Sequence, residues 1–343
     1  MSEAQSSRPF GLAVEHSADR RPLVTAKDVL WLVYLYPLRF LAAVLPIPMF
    51  RVLTSLVDFV CQRVTGRLKR SMLKHLDAVQ ESGGLRQDPK TIANQIVSRS
   101  VRRSMDDLVL NRLVARGLKP PQIERLEHLE QAVARGKGVI LLSAHTYANR
   151  VSKRYLDQAG YPVMSVRNHR PPDSLMGRVG KRFLHRRYLE HLHGIIQDEA
   201  FIQDANCALT ILKRLRAGGI VHIYLDAGVT ALRSSDEDVA MFWAPFLATQ
   251  RPFPTGFMRI ARATGCAVIP MICLGDSLDF SIACDAPLEL SADATTEELI
   301  AEHLPGLVAG FEAKILKAPE QWELWGIFER SYLTIKPREY RSI

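Results

Sequence analysis

The sequence predicts an α/β fold: a mixed, largely parallel sheet flanked by helices, preceded by a helical, membrane-associating N-terminal region. Three observations carry this expectation. From residue 136 to residue 284, short apolar runs alternate with helix-period segments, the pattern of parallel strands joined by helical crossovers. Ahead of them, residues 29–60 read "VLWLVYLYPLRFLAAVLPIPMFRVLTSLVDFV", apolar but broken by Pro37, Arg39, Pro46, Pro48 and Arg51. The balance of 47% hydrophobic and 24% charged residues over 343 positions suits a globular chain with a sizeable core.

Taken in order, residues 1–24 are polar and aperiodic and read as a flexible lead. Residues 25–118 read as the helical membrane-associating region. The apolar run starts too late and runs too long for a signal peptide. A spanning helix needs about 20 uninterrupted apolar residues, and the interruptions leave pieces of half that length. A shallow or hairpin insertion fits best, with Trp31, Tyr34 and Tyr36 suited to the headgroup layer. Buried core helices and a single full span are the other readings. Basic residues follow at once in "RVTGRLKRSMLKH" (63–75), where cations beside an apolar anchor favour anionic lipid. Residues 88–118 look helical, and "GLKPPQ" (117–122) ends them. The α/β domain then covers 119–343, with strands expected at 139–143, 162–166, 220–225, 267–273 and 280–284. Helices are expected at 148–159, 173–189, 206–217 and 255–264.

The formal charge of +9 calls for an acidic partner. Nucleic acid is disfavoured, because neither a basic helix-turn-helix nor aromatics interleaved with arginine appears. The five cysteines, Cys61, Cys207, Cys266, Cys273 and Cys284, form no CxxC pair, so they read as buried free thiols.

Ligands of open α/β sheets bind beyond the carboxyl ends of the strands. Two expected strands end in groups able to do chemistry. "VILLSA" runs into His145, and "IVHIYL" runs into Asp226, followed by Ala227 and Gly228. If the strands are parallel, both side chains reach one edge, and Gly228 lets a ligand approach the backbone.

These residues resemble a family. "GVILLSAH" (138–145) is similar to the strand carrying the HxxxxD/E motif of lysophospholipid-type acyltransferases, most closely the branch that adds secondary acyl chains to lipid A. The similarity continues in "ALTILKRLRAGGIVHIYLDAG" (208–228), "MFWAPFLATQRPFPTGFMRIARATGCAVIP" (241–270) and "PEQWELWGIFER" (319–330). The resemblance implies acyl transfer from an acyl carrier protein or coenzyme A thioester to a hydroxyl or amine of a lipid or glycolipid, without a cofactor. It implies the cytoplasmic face of the inner membrane as the place of work. A neutral imidazole suits the proton transfer, and a carboxylate on its other nitrogen would stabilise the imidazolium.

The sequence departs from the motif at its acid, which falls on Arg150. Three readings follow: Asp226 serves instead; Arg150 faces an anionic acceptor or the donor's phosphate; or the chain binds acyl lipid or carrier protein without transfer. Arg167 and Arg170, in "VRNHRPPD" (166–173), are placed to reach the same edge and bind substrate. Arg178, Lys181, Arg182 and Arg186 share one helical face, read as opposite Val179 and Phe183, and form a dock for acidic carrier protein or headgroups or else a solvated face. Asp198 and Glu199 are weaker candidates for the missing acid. The spacing of His185, His191 and His193 does not support a metal site.

Overall fold

The computed structural model describes residues 22–168, 175–195, 198–227 and 241–326. Seven strands form one sheet in the order β1-β9-β8-β2-β5-β3-β4. They are β1 (Gln122–Glu124), β2 (Val139–Ser143), β3 (Val163–Arg167), β4 (Glu199–Phe201), β5 (Ile220–Tyr224), β8 (Ala267–Gly275) and β9 (Phe280–Cys284). Pairing is parallel except between β8 and β9. The sheet is therefore mixed and largely parallel, as its alternating pattern predicts. Every residue of β2 is buried. That is why β2 reads as an unbroken apolar run, since both faces of a parallel sheet are covered.

Each face packs its own helices. Ile140 and Leu142 of β2 enter a cluster with residues of α4 (Gly66–Glu81), α5 (Pro89–Ala115), α9 (Cys207–Arg216), α10 (Gly256–Thr264) and α11 (Thr296–Lys317). Val139 and Leu141 face α6 (Leu126–Ala134) and α7 (Asn149–Gln158). Gly138, just before β2, has φ +79°, and a Cβ there would meet the Leu215 carbonyl oxygen at 2.5 Å, so no larger residue fits. The four cysteines of the α/β part are buried free thiols, while Cys61 is only half-buried.

The first helices are α1 (Ala26–Val33), a π-helical turn around Pro37 (Tyr34–Leu38), α2 (Arg39–Val44) and α3 (Ile47–Val64). One face is buried: Ala42 and Phe50 pack with Met105, Val109 and Leu113 of α5. The other is exposed, including Leu30, Phe40, Val52, Leu56, Phe59 and Val64. The segment thus buries one face as a pair of core helices would and leaves an apolar face uncovered by the described residues. Among the described residues no helix is long and apolar enough to cross a membrane.

Several elements escape the sequence expectations: the short edge strands β1 and β4, the helices α6 and α11, and a hairpin that the sequence argues against. β6 (Met241–Phe246) and β7 (Thr249–Pro254) form a separate antiparallel hairpin. Pro245 and Pro252 argue against strands there. The turn places Leu247 and Ala248 at φ 49° and 60°, without the Asn or Gly that usually announces it. Burial compensates, because Leu247 joins the core and its N–H donates to Glu312 Oε1 at 2.6 Å.

Candidate active site

The register between β2 and β5 sets the site. Ser143 lies opposite Tyr224, so the residues two positions further on, His145 and Asp226, arrive level at the same edge. His145 Nδ1 and Asp226 Oδ1 are 2.6 Å apart. The other carboxylate oxygen accepts the His145 backbone N–H at 2.8 Å and the Trp322 indole N–H at 2.8 Å. Asp226 is buried, its side chain 4% exposed, while the His145 side chain is 22% exposed. A carboxylate with both oxygens engaged orients the imidazole so that Nδ1 carries the proton. Nε2, which makes no hydrogen bond among the described residues, is then left with its lone pair.

The loop bearing His145 is held from several sides. The Glu323 N–H donates to the His145 carbonyl at 2.8 Å, and Tyr147 N–H donates to the Gln321 carbonyl. Thr146 bridges to Trp322 and donates through Oγ1 to the Cys273 carbonyl. Glu323 is paired in turn with Arg103 of α5 at 2.5 Å. The "PEQWELW" stretch is therefore part of the site's frame, and Trp322 is a site residue that spacing arguments alone do not find.

Arg150, in the first turn of α7, is paired with Asp107 of α5, and its side chain is 13% exposed. Burial works against its charge, and Asp107 more than offsets this, so the guanidinium stays protonated. Arg167 is likewise paired with Glu199, which His193 also meets at 2.8 Å. Asp198 faces Arg214 at 3.5 Å. Of the three acids considered for His145, Asp226 is the one the sheet brings to it. Arg170 and Gly228 lie outside the described residues.

The cationic helix begins near Arg178, passes through a π-helical turn (Gly180–Leu184) and continues as α8 (His185–Ile195). Arg178, Arg182 and Arg186 are exposed and Lys181 is half-exposed. Phe183, expected on the opposite face, is 58% exposed beside Arg182, whose guanidinium lies 5.6 Å from its ring. The π turn shifts the residue spacing, so that Gly180 and Leu184 take the buried side. His191 is buried on α8, whereas His193 is exposed and paired with Glu199.

Beneath the site, on the α7 side of the sheet, Ser143 Oγ and His222 Nε2 are 2.5 Å apart. Burial pushes the His222 imidazole down to about 3, with Lys153 and His145 adding to the effect. The unfolded chain therefore binds a proton near pH 6.5 that the folded chain refuses until about pH 3. Stability is full above 6.5 and falls on acidification, by about 2 kcal/mol at pH 5 from this group alone. Denaturant unfolding at pH 7 and pH 5 should show wild type losing about 2 kcal/mol more than His222→Gln. Equal losses would mean that His222 protonates within the fold.

Among the described residues, the arrangement leaves one imidazole nitrogen without a hydrogen bond, backed by a buried carboxylate, at the carboxyl edge of parallel strands, which is chemically suited to taking up a proton. Compared with known families, the family model described as bacterial lipid A biosynthesis acyltransferase matches residues 27–326. A search of curated proteins gives no match.

Proposed function

Because the chain belongs to the bacterial lipid A biosynthesis acyltransferase family, we propose that His145 is its general base and Asp226 that base's partner. The chain is an acyltransferase of the lipid A type, and the proposal concerns how it works and with what. The acceptor is a hydroxyl or amine of a lipid or glycolipid, and the donor is an acyl thioester of acyl carrier protein or coenzyme A. His145 Nε2 takes the acceptor's proton as its oxygen or nitrogen attacks the thioester carbonyl. The carbon–sulfur bond then breaks, the acyl group stays on the acceptor, and the imidazolium returns the proton to the departing thiolate. Asp226 stabilises the imidazolium between these steps. The observation that carries this reading is the 2.6 Å contact between Nδ1 and Asp226, with Nε2 making no hydrogen bond among the described residues. Lipid profiling of cells with and without the chain tests it, and an unchanged profile would favour binding without transfer.

The same proposal places the protein on the cytoplasmic face of the inner membrane, peripherally or shallowly inserted. The exposed apolar face of α1–α3 supports it, as does the exposed Phe183 among Arg178, Lys181, Arg182 and Arg186. Truncating the N-terminal helices would uncover the Phe50 cluster, so surface substitutions are the cleaner test. In flotation with phosphatidylglycerol vesicles, Val52→Ser, Leu56→Ser and Phe59→Ser combined should weaken binding at any salt concentration. Reversal of Arg178, Lys181 and Arg182 to Glu should weaken it mainly at low salt, because exposed charges are screened over about 10 Å at 0.1 M. A full-length chain that stays unbound at low salt would contradict the membrane reading.

A further inference from the structure

Alternate residues of a strand share a face, so β5 sends His222 and Tyr224 to the same side of the sheet, with Asp226 just beyond its end. The Tyr224 ring lies face to face with the His145 imidazole, centroids 3.8 Å apart and planes 16° from parallel. It meets His222 edge-on at 4.6 Å, and His222 is held by Ser143. Ser143, His222 and Tyr224 thus form a column of contacts that ends against His145.

We propose that Tyr224 is a positioning residue of the reaction: stacked on His145, it fixes the imidazole plane and stabilises the imidazolium formed when the acceptor loses its proton. The proposal rests on the assignment of His145 as base. The bond to Asp226 anchors Nδ1 but leaves the ring able to turn about that contact, and a stacked face removes this freedom. When the imidazole becomes cationic, the electron-rich face of the phenol attracts it more strongly than it attracts the neutral ring.

The ring, not the hydroxyl, does this work. The Tyr224 hydroxyl makes no hydrogen bond among the described residues. Burial first, and Glu323 second, hold the phenol in its protonated form, so it does not compete as an acid. The other charged groups acting on Tyr224 are paired, Glu323 with Arg103, Arg150 with Asp107 and Arg167 with Glu199, while Lys153 acts on the column from its far end at His222. His222 stays neutral. Among the described groups, Asp226 is left as the charge facing the imidazole directly.

The test is a proton and carbon NMR titration of full-length protein in lipid nanodiscs, with labelled histidine, the His145 signal being assigned by its loss in His145→Gln. Removing the stack disfavours the cation, so in Tyr224→Leu the titration midpoint should fall by about 0.4 to 1.5 pH, the equivalent of a cation–π contact. Tyr224→Phe should leave it in place. Turnover should follow the same order, with kcat reduced in Tyr224→Leu and KM little changed. A midpoint that does not move in Tyr224→Leu would overturn the proposal, and Tyr224→Met serves if the leucine variant does not fold. In the unsubstituted protein, a His145 signal without the upfield displacement of a stacked ring would overturn it as well. Full acyl transfer by His145→Gln would instead remove the base reading, a result separable from either titration outcome.

Discussion

Asp226→Asn should leave the chain folded and reduce acyl transfer by about 10⁴-fold, the scale seen when a buried aspartate behind a catalytic histidine becomes an amide. The reason is geometric as well as electrostatic. Asp226 accepts from His145 Nδ1, the His145 backbone N–H and the Trp322 indole. An amide can keep the last two bonds through its oxygen, but its NH₂ then faces Nδ1 and selects the other tautomer. Nε2 would carry the proton and could no longer accept one. His145→Ala should be at least as damaging. Circular dichroism and thermal unfolding check the fold, and thiol release checks turnover. A folded Asp226→Asn variant within tenfold of wild type would remove Asp226 from the mechanism.

Arg150→Ala should act on stability rather than on the chemical step. Its guanidinium is paired with Asp107 deep between α7 and α5, and removing one partner of a buried pair leaves a charge without compensation. The expected loss is about 3 kcal/mol, the lower end of the usual range, because Arg103 stands one turn away on α5 and also acts on Asp107. Asp107→Ala should cost a similar amount, and the double alanine variant much less than the sum. Exchanging the two, Arg150→Asp with Asp107→Arg, should recover part of the loss. At temperatures where Arg150→Ala is folded, kcat should fall less than tenfold. A variant of wild-type stability whose KM rises sharply would return Arg150 to the substrate-facing role considered from the sequence.

That contrast shows where the sequence could be read and where it could not. The β2 and β5 strands were legible because both are short, mainly apolar runs. The meeting of His145 and Asp226 was legible because each follows such a run directly. The partner of Arg150 was not legible: Asp107 lies 43 positions away, on a helix whose packing against α7 no local pattern specifies. The same holds for Arg167 and Glu199, whose pairing depends on β3 and β4 lying side by side. Tyr224 and His222 were visible in principle, as the alternate residues of "VHIYLD" that share a face. An apolar strand hides them, because periodicity marks the buried face without saying which polar groups it carries. The misplacement of Phe183 has a different origin, since a π turn is a backbone irregularity that a regular helical spacing cannot anticipate.

The central claim is that a family member with arginine at the motif's acid position remains an acyltransferase because another carboxylate serves the histidine. Its most direct test is the reaction itself. Purified full-length protein would be incubated in nanodiscs with a lipid A precursor and, separately, acyl-carrier-protein and coenzyme A thioesters. Mass spectrometry of the lipid and titration of released thiol would be read together. The account predicts one acyl group gained by the acceptor for each thiol released, with one donor at least, and no gain with Asp226→Asn. A folded wild-type chain that transfers nothing from either donor, or an Asp226→Asn chain that transfers as wild type does, would contradict it.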